Sequence, residues 1–229
     1  MKTLEHAFKS LPLFASLPDE ILPVLLADCV EMNFQAKDII IGEKESPSGL
    51  YILLNGTAKL YKSSPEGKEQ TLFLLEGGEP FCLCSTFRKK PFPVTAAALT
   101  PCRVVSISKQ SFFAAAHQNN EFLFSMLLKV SERLRDAMEL AGTLSLQEVP
   151  QRIATFLLNL QTKSSSLSPA SVELPMTHKE LSKVIGATPE ALSRTLKKMS
   201  LRGILSINGR TVHILDEEQL AVCAEIGLQ

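Results

Sequence analysis

No apolar stretch of this sequence is long enough to cross a membrane. Runs such as Ile39–Ile41 are far shorter than the ~20 residues that a transmembrane helix needs. The first residues, Met1–His6, also lack the apolar core and the cleavage site of a signal peptide. We therefore expect neither a membrane-spanning nor a secreted protein, and we place it in the cytoplasm.

Recognisable catalytic motifs are missing as well. The sequence has no glycine-rich phosphate loop, no metal-binding histidine pair and no nucleophile elbow. None of the four histidines stands in a recognisable arrangement with a serine or cysteine and a carboxylate. These absences predict that the protein is not an enzyme.

Cysteine is scarce, and the number of cysteines is odd. The five lie at Cys29, Cys82, Cys84, Cys102 and Cys223. In a reducing cytoplasm such residues are free thiols rather than a disulfide framework. Most of them are expected to be small buried residues of the core.

The chain has no net charge, yet its charges are unevenly distributed. Its 229 residues include 24 basic and 24 acidic side chains, and this length suits one large or two modest domains. The segment from Met176 to Ile214 holds seven basic residues and only two acidic ones, a net charge of +5. A local basic patch of this kind is typical of phosphate binding.

Short β-type runs occupy residues 30 to 116, separated by turn signals such as Asn55-Gly56 and Gly77-Gly78. The clearest runs are Gly49–Leu54, Gly56–Tyr61, Thr71–Leu75 and Cys102–Ile107. Regularly spaced short strands predict an antiparallel barrel or sandwich.

The hydrophobic period changes between Asn120 and Leu144. Apolar residues recur there at intervals of three and four: Leu123, Met126, Leu127, Val130, Leu134, Ala137, Met138 and Ala141. This spacing predicts one long amphipathic helix. Its narrow, nearly heptad stripe favours pairing with a second copy, and the alternative is packing against the barrel of the same chain.

A second helix is predicted over Val149–Gln161, followed by a polar loop over Thr162–Pro169. Thr177 and Glu180 then form a capping-box pattern that begins a short helix. Gly186 supplies a tight turn. Thr188 and Pro189 begin another helix as its N-cap and first residue.

The last of these helices has two different faces. Leu192, Leu196 and Met199 share an inward face, whereas four polar residues share another: Glu190, Ser193, Arg194 and Lys197. Arginine can pair with guanine, glutamate can accept from cytosine, and serine can contact base or backbone. Lys197 and Lys198 are better suited to phosphates. The alternative is an ordinary solvated helix face.

A hairpin signal follows and favours the nucleic-acid interpretation. Asn208-Gly209 stands between two apolar runs, Ile204–Ile207 and Thr211–Ile214. Two short helices followed by a hairpin predict a winged helix-turn-helix.

The order of barrel, long helix and winged helix-turn-helix resembles the CRP/FNR superfamily of bacterial transcription regulators over nearly the whole chain. The segment from Ser131 through Leu144, followed by Arg152–Leu158, looks like its dimer helix and hinge. Thr177–Leu181 opens its DNA-reading motif. The family's Glu-x-x-Ser-Arg pattern falls on Glu190, Ser193 and Arg194. These residues are similar to the FNR-like branch.

The resemblance implies an α+β fold: a cyclic-nucleotide-binding-like jelly roll over 1–118, a dimerisation helix over 119–144 and a winged helix-turn-helix domain over 145–229. It implies a homodimer that binds double-stranded DNA at an inverted repeat of TTGA-like half-sites and acts with RNA polymerase. The DNA-binding residues implied are Thr177, Lys179, Thr188, Glu190, Ser193, Arg194, Lys197 and Arg210.

The sensing region departs from the family pattern. Gly78-Glu79 matches the Gly-Glu of the cyclic-nucleotide cassette, but Pro93-Val94 stands where an Arg-Ser pair would hold the phosphate. Ala137-Met138 replaces the Thr-Ser pair that would meet the adenine. A buried phosphate needs a cationic or multi-donor partner, so cyclic AMP is not expected. The effector-binding candidates are Gly78, Glu79, Cys82, Cys84, Val94, Thr95 and Met138.

Three effector hypotheses stay open. Haem binding is suggested by the nitric-oxide-responsive members, the nitrosative-stress branch, which share a similar Phe-Pro-Val-Thr-Ala stretch. The candidate axial ligands are His6, His117, Met126 and Met138. A redox-responsive or metal-responsive thiol pair would use Cys82 and Cys84, both placed on one face of a strand. A small anion would use the basic turn Arg88–Lys90. An iron–sulfur cluster is not expected, because no cysteine precedes Cys29.

Overall fold

The computed structural model describes residues 2–15, 17–88, 90–163 and 171–228, without the side chains of Lys2, Thr3, Arg88 and Lys163. The described chain forms two compact units, Met1–Asp136 and Ala137–Gln229. Within the described ranges no helix has the length and apolar character needed to span a membrane.

The described residues of the first unit form short helices and eight strands. Its helices are α1 (Lys2–Lys9), α2 (Pro12–Ala15), α3 (Ile21–Leu26), α4 (Leu83–Arg88) and α5 (Lys109–Gln118). Its strands are β1 (Val30–Phe34), β2 (Ile39–Ile41), β3 (Gly49–Asn55), β4 (Ala58–Ser63), β5 (Glu69–Leu75), β6 (Pro80–Phe81), β7 (Thr95–Ala98) and β8 (Cys102–Ser108).

These strands form two antiparallel four-stranded sheets, β1-β8-β3-β6 and β2-β7-β4-β5. Strand β3 is buried on both faces, so successive side chains enter different cores. Leu50 and Ile52 join a core with α1, α2, α3 and α5. Tyr51 and Leu53 join the core between the sheets. This arrangement confirms the predicted jelly roll.

Helix α6 spans Asn120–Leu146. Near its start Phe122 and Met126 are buried in the helical core of the first unit. Most of the predicted apolar stripe is exposed instead: Leu123, Leu127, Val130, Leu134 and Met138. The helix therefore carries a long apolar face that its own chain leaves open to solvent.

The second unit contains α7 (Val149–Lys163), β9 (Ser171–Glu173), α8 (His178–Ile185), α9 (Pro189–Leu201), β10 (Leu205–Asn208), β11 (Thr211–Ile214) and α10 (Glu217–Ile226). Its sheet has the order β10-β11-β9, which confirms the predicted wing and adds a third strand. The predicted loop over Thr162–Pro169 is helical through Lys163, and its remainder lies outside the described residues.

The wing turn lies one residue beyond its expected place. Asn208 pairs with Thr211, so Gly209 and Arg210 are the two turn residues. Gly209 has a φ of 61°, which suits the first central position of a type II′ turn. Asn208 therefore closes strand β10 rather than forming part of the turn.

Candidate nucleic-acid interface and effector cavity

Local hydrogen bonds define the helix-turn-helix. The Thr177 hydroxyl accepts the Glu180 N–H at 3.3 Å, and the Thr188 hydroxyl accepts the Ala191 N–H at 3.2 Å. Gly186 ends α8 with a φ of 70°, a conformation that costs glycine little. The two caps thus fix where α8 and α9 begin, and the Gly186 turn fixes where α8 ends.

The two faces of α9 are separated as the sequence predicts. Leu192, Leu196 and Met199 are buried in the second unit. The opposite face is exposed and presents Glu190, Ser193, Arg194 and Lys197. The structure therefore brings an acceptor, a hydroxyl and two cations onto one accessible helix face.

The surroundings of the Glu190 carboxylate favour its ionised form, which is a hydrogen-bond acceptor. Hydrogen bonds from its own backbone N–H and from the Thr188 hydroxyl hold the pKa of Glu190 below its usual range, and the nearby Arg194 charge acts in the same direction. The ionised form accepts hydrogen bonds only, as the cytosine amino group requires.

The other predicted DNA-binding residues differ in their surroundings. Lys179 is exposed on α8. Arg210 lies in the wing turn, where its Nη2 is 3.3 Å from the Glu173 carboxylate. The Thr177 and Thr188 hydroxyls act as helix caps. Lys183, part of the basic segment, forms a 2.8 Å ion pair with Glu180, one of the two acidic residues already subtracted in the segment's net charge.

In the first unit, Glu79 pairs with basic residues of α6. Its carboxylate lies 3.3 Å from Lys129 Nζ and 3.0 Å from Arg133 Nη2. Gly78, with a φ of 96°, precedes it, and the Gly78 N–H donates to the Leu53 carbonyl at 2.7 Å. The turn thus directs Glu79 toward α6.

Beside this turn lies an apolar cavity of about 250 Å³. Its wall combines residues of β4, β5, β6, α4, the segment before β7, and α6: Leu60, Phe73, Pro80, Phe81, Cys82, Leu83, Cys84, Phe87, Phe92, Pro93, Val94, Val130 and Arg133. Among the described lining residues Arg133 alone carries a charge. Its guanidinium lies 5.1 Å from the centre of the Phe73 ring, a cation–π arrangement.

Three of the predicted effector residues line this cavity, namely Cys82, Cys84 and Val94. Gly78, Glu79, Thr95 and Met138 are not among the described lining residues. The Thr95 hydroxyl instead accepts the Glu43 N–H at 3.1 Å. Sequence reasoning missed Phe73, Val130 and Arg133, which no local motif marks because they come from distant segments.

The expectation that Cys82 and Cys84 share one strand face is wrong. Strand β6 ends at Phe81, and α4 begins at Leu83. Cys82 lies between them with a φ of 66°; it is buried, and this burial raises the pKa of its thiol. Cys84 is exposed on α4. The two thiols therefore have different environments.

The candidate haem ligands do not fit the cavity. His6 and His117 are exposed on α1 and α5, and Met126 is buried in the helical core. Met138 is exposed on α6, and none of these four is among the residues described as lining the cavity. Of the proposed anion-binding turn, Lys89 and the Arg88 side chain lie outside the described residues, and Lys90 is exposed.

Comparison with known families assigns each half of the chain to a described domain family. Residues 31–119 match the cyclic nucleotide-binding domain, and residues 151–223 match the Crp-like helix-turn-helix domain. Together the matches cover well over half of the chain. The chain belongs to the CRP/FNR superfamily of transcription regulators. Within it, this protein is a DNA-binding regulator that joins a cyclic-nucleotide-binding domain to a helix-turn-helix domain.

Curated relatives include the cAMP-activated global transcriptional regulator Vfr of Pseudomonas aeruginosa. It is 26% identical over 196 residues, covering 83% of this chain and 92% of Vfr. The cAMP-activated regulator CRP of Escherichia coli O157:H7 is also 26% identical over 196 residues, covering 85% of this chain and 93% of CRP. These relatives are named as regulators rather than enzymes, in agreement at the family level with a non-enzymatic function.

Solved structures share the fold at lower identity. FixK2 from Bradyrhizobium japonicum matches with a TM-score of 0.74 and 23% identity, over 85% of this chain and 96% of FixK2. A CooA mutant from Carboxydothermus hydrogenoformans matches with a TM-score of 0.77 and 21% identity, over 87% and 89% of the two chains.

Proposed function

We propose that this protein is a sequence-specific transcription regulator that reads double-stranded DNA with α9. The observation that carries the proposal is the exposed face of Glu190, Ser193 and Arg194 on α9. The Thr188 cap and a buried apolar face hold this helix in place. Lys179, Lys197 and Arg210 contribute phosphate contacts, which position the protein without specifying sequence.

The acting form is a homodimer that pairs through α6. Support comes from the exposed apolar face of that helix, since a large open apolar surface marks an interaction site. Residues 1–118 act as the sensing domain, 119–144 as the dimerisation helix and 145–229 as the DNA-binding domain. Two reading helices related by a twofold axis require an inverted repeat, here with TTGA-like half-sites about one helical turn apart.

The effector is a small apolar molecule in the 250 Å³ cavity, and it is not cyclic AMP. Among the described lining residues only Arg133 could pair with a phosphate, and its charge is shared with Glu79 at 3.0 Å. The 3.0 Å ion pair between Arg133 Nη2 and Glu79 does not have the geometry of a hydrogen bond. The buried Nη2 atom therefore has no hydrogen-bond partner among the described residues. A carbonyl or similar oxygen on the effector would satisfy it.

Occupancy of the cavity acts on α6 directly, because Val130 and Arg133 of that helix form part of the wall. An effector that packs better against one placement of α6 shifts the population between two dimer states. The states differ in how the two DNA-reading domains are oriented, and therefore in operator affinity.

Haem that responds to nitric oxide is the second candidate effector, favoured by the apolar wall of the cavity. The positions of His6, His117, Met126 and Met138 disfavour it, because none of them lines the described cavity. An anaerobic haem titration with and without nitric oxide decides between the two. A stoichiometric Soret band that shifts with the gas and changes operator affinity would replace the apolar effector with haem.

DNA reading is tested by fluorescence anisotropy. We expect tight binding to an operator selected by the protein from random duplexes, weaker binding to a scrambled duplex, and a decrease of both affinities with salt. Equal affinity for the two duplexes would contradict sequence-specific reading. Transcription in vitro with purified RNA polymerase then tests the proposed partnership with that enzyme.

A further inference from the structure

The guanidinium of Arg152, near the start of α7, lies between the ends of two other helices. Its Nε donates to the Gln147 carbonyl at 2.9 Å, and its Nη2 donates to the Leu144 carbonyl at 3.1 Å. Its Nη1 donates to the Ile185 carbonyl at 3.1 Å and lies 3.4 Å from the Gly186 carbonyl. One side chain thus joins the end of α6 to the turn of the helix-turn-helix.

The carbonyl groups at these helix ends need a hydrogen-bond donor from outside their own helix. The last four carbonyls of a helix have no partner within the helix, and Leu144 and Ile185 lie in the last turns of α6 and α8. Both helix ends carry partial negative charge, which a cation stabilises. A guanidinium offers five donors in a rigid planar fork, so it can bond in two directions at once.

We infer that Arg152 is a positioning residue that sets the direction in which the dimerisation helix leads into the DNA-reading motif. The inference rests on the proposed function, because the direction matters only if a dimer presents two reading helices to one duplex. Gly186 contributes a carbonyl to the contact and also ends α8. Any change at Arg152 therefore acts on the turn from which α9 begins.

The consequence for DNA is a selective preference for one half-site spacing. Adding one base pair between half-sites moves them apart by about 3.4 Å and rotates one by about 35° relative to the other. A rigid link between α6 and the reading motif disfavours such a change, whereas a loose link tolerates it. Spacing selectivity is therefore a readout that a loss of stability alone does not change.

The experiment compares operators whose spacer is one base pair shorter, correct or one longer, measured with the full-length dimer. We expect wild type to prefer the correct spacing by about tenfold and Arg152→Met to reduce this preference to about twofold or less. Arg152→Lys is expected to behave like Arg152→Met, because one ammonium keeps the charge but cannot bond to both helix ends.

A neighbouring residue supplies the matched control. Gln151 donates to the Glu225 carbonyl at 2.8 Å and accepts the Glu148 N–H at 2.8 Å, so it joins α7 to α10 rather than to the reading motif. Gln151→Met is expected to retain the wild-type spacing preference. Circular dichroism verifies that each variant is folded. If Arg152→Met does not fold, Arg152→Lys is compared with wild type in its place.

The outcomes separate the inference from the function on which it rests. A wild-type spacing preference in Arg152→Lys or in folded Arg152→Met, or an equal loss in Gln151→Met, overturns the positioning role. A wild-type protein that binds scrambled DNA as tightly as its selected operator overturns the proposed function instead.

Discussion

At the scale of single residues, the reading helix shows how neighbours prepare a side chain. Thr188 caps α9 and also bonds to Glu190, so one hydroxyl both begins the helix and favours the ionised carboxylate. Arg194 lies on the same exposed face, one turn further along. The proposed base reading therefore rests on local contacts that a substitution can remove one at a time.

Replacing Arg194 with alanine should weaken binding to the preferred operator by about 1–3 kcal/mol and relax base preference at one position, because a bidentate guanine contact is lost. Anisotropy against a set of single-base operator variants measures both effects. Lys197→Ala is the comparison: loss of a phosphate contact should weaken all duplexes alike and lower the salt dependence. Wild-type operator affinity in Arg194→Ala would remove Arg194 from the reading set.

The two cavity cysteines should differ in reactivity toward iodoacetamide at neutral pH. The thiolate is the reactive form, and burial raises the pKa of Cys82 while Cys84 is exposed. We expect fast labelling at Cys84 and slow labelling at Cys82, measured by mass spectrometry of the folded protein. Cys84→Ser should abolish the fast phase, and fast labelling of Cys82 would instead restore the hypothesis of a reactive thiol pair.

At the scale of elements, α6 combines two roles along one helix. Phe122 and Met126 anchor it in the first unit, whereas Leu127 and Leu134 expose 58% and 61% of their surface. Local periodicity predicts such a stripe but not which of its members the chain itself covers. That division depends on α1, α2 and α5, which pack around Phe122 and Met126.

A charge in the exposed stripe should prevent pairing. Leu134→Glu places a carboxylate in the proposed dimer interface, where burial of an unpaired charge costs several kcal/mol. Sedimentation should then report a monomer, with operator affinity reduced toward non-specific levels. Leu215→Glu, at a leucine exposed to 59% outside α6, is the control and should remain dimeric. A dimeric Leu134→Glu would place the interface elsewhere.

At the scale of the whole molecule, the sensing cavity depends on chain segments far apart in sequence. Phe73 comes from β5, Val94 precedes β7, and Val130 belongs to α6. Because the wall includes α6, filling the cavity and moving that helix are coupled. The cavity proposed to hold the effector therefore shares a wall with the helix proposed to form the dimer.

Filling the cavity from α6 should block ligand entry. Val130→Trp adds an indole to a wall residue that is 39% exposed, so it should fold while occupying part of the volume. Fluorescence of anilinonaphthalene sulfonate, an aromatic anion that becomes fluorescent in apolar surroundings, should decrease relative to wild type. Val30→Trp, at an exposed β1 residue outside the described wall, should leave probe binding unchanged. Undiminished probe binding in Val130→Trp would contradict the cavity as the apolar site.

The sequence by itself determined the features that depend on residues a few positions apart. Thr177, Gly186 and Thr188 mark helix ends because capping and left-handed turns use neighbouring backbone groups. The hydrophobic period likewise predicted α9 and its inward face. The Asn208-Gly209 pair between two apolar runs also predicted the wing hairpin. The strand pairing places its turn one residue later, at Gly209 and Arg210.

Only the tertiary structure decided which distant groups meet. It buried Cys82 and exposed Cys84 by ending β6 at Phe81 and beginning α4 at Leu83. It also brought Arg133 against Phe73 and Glu79. It also gathered the carbonyls around Arg152. Such contacts result from packing between elements, and no local pattern encodes them where the partners lie tens of residues apart, as Arg133 does from Phe73 and Arg152 from Ile185.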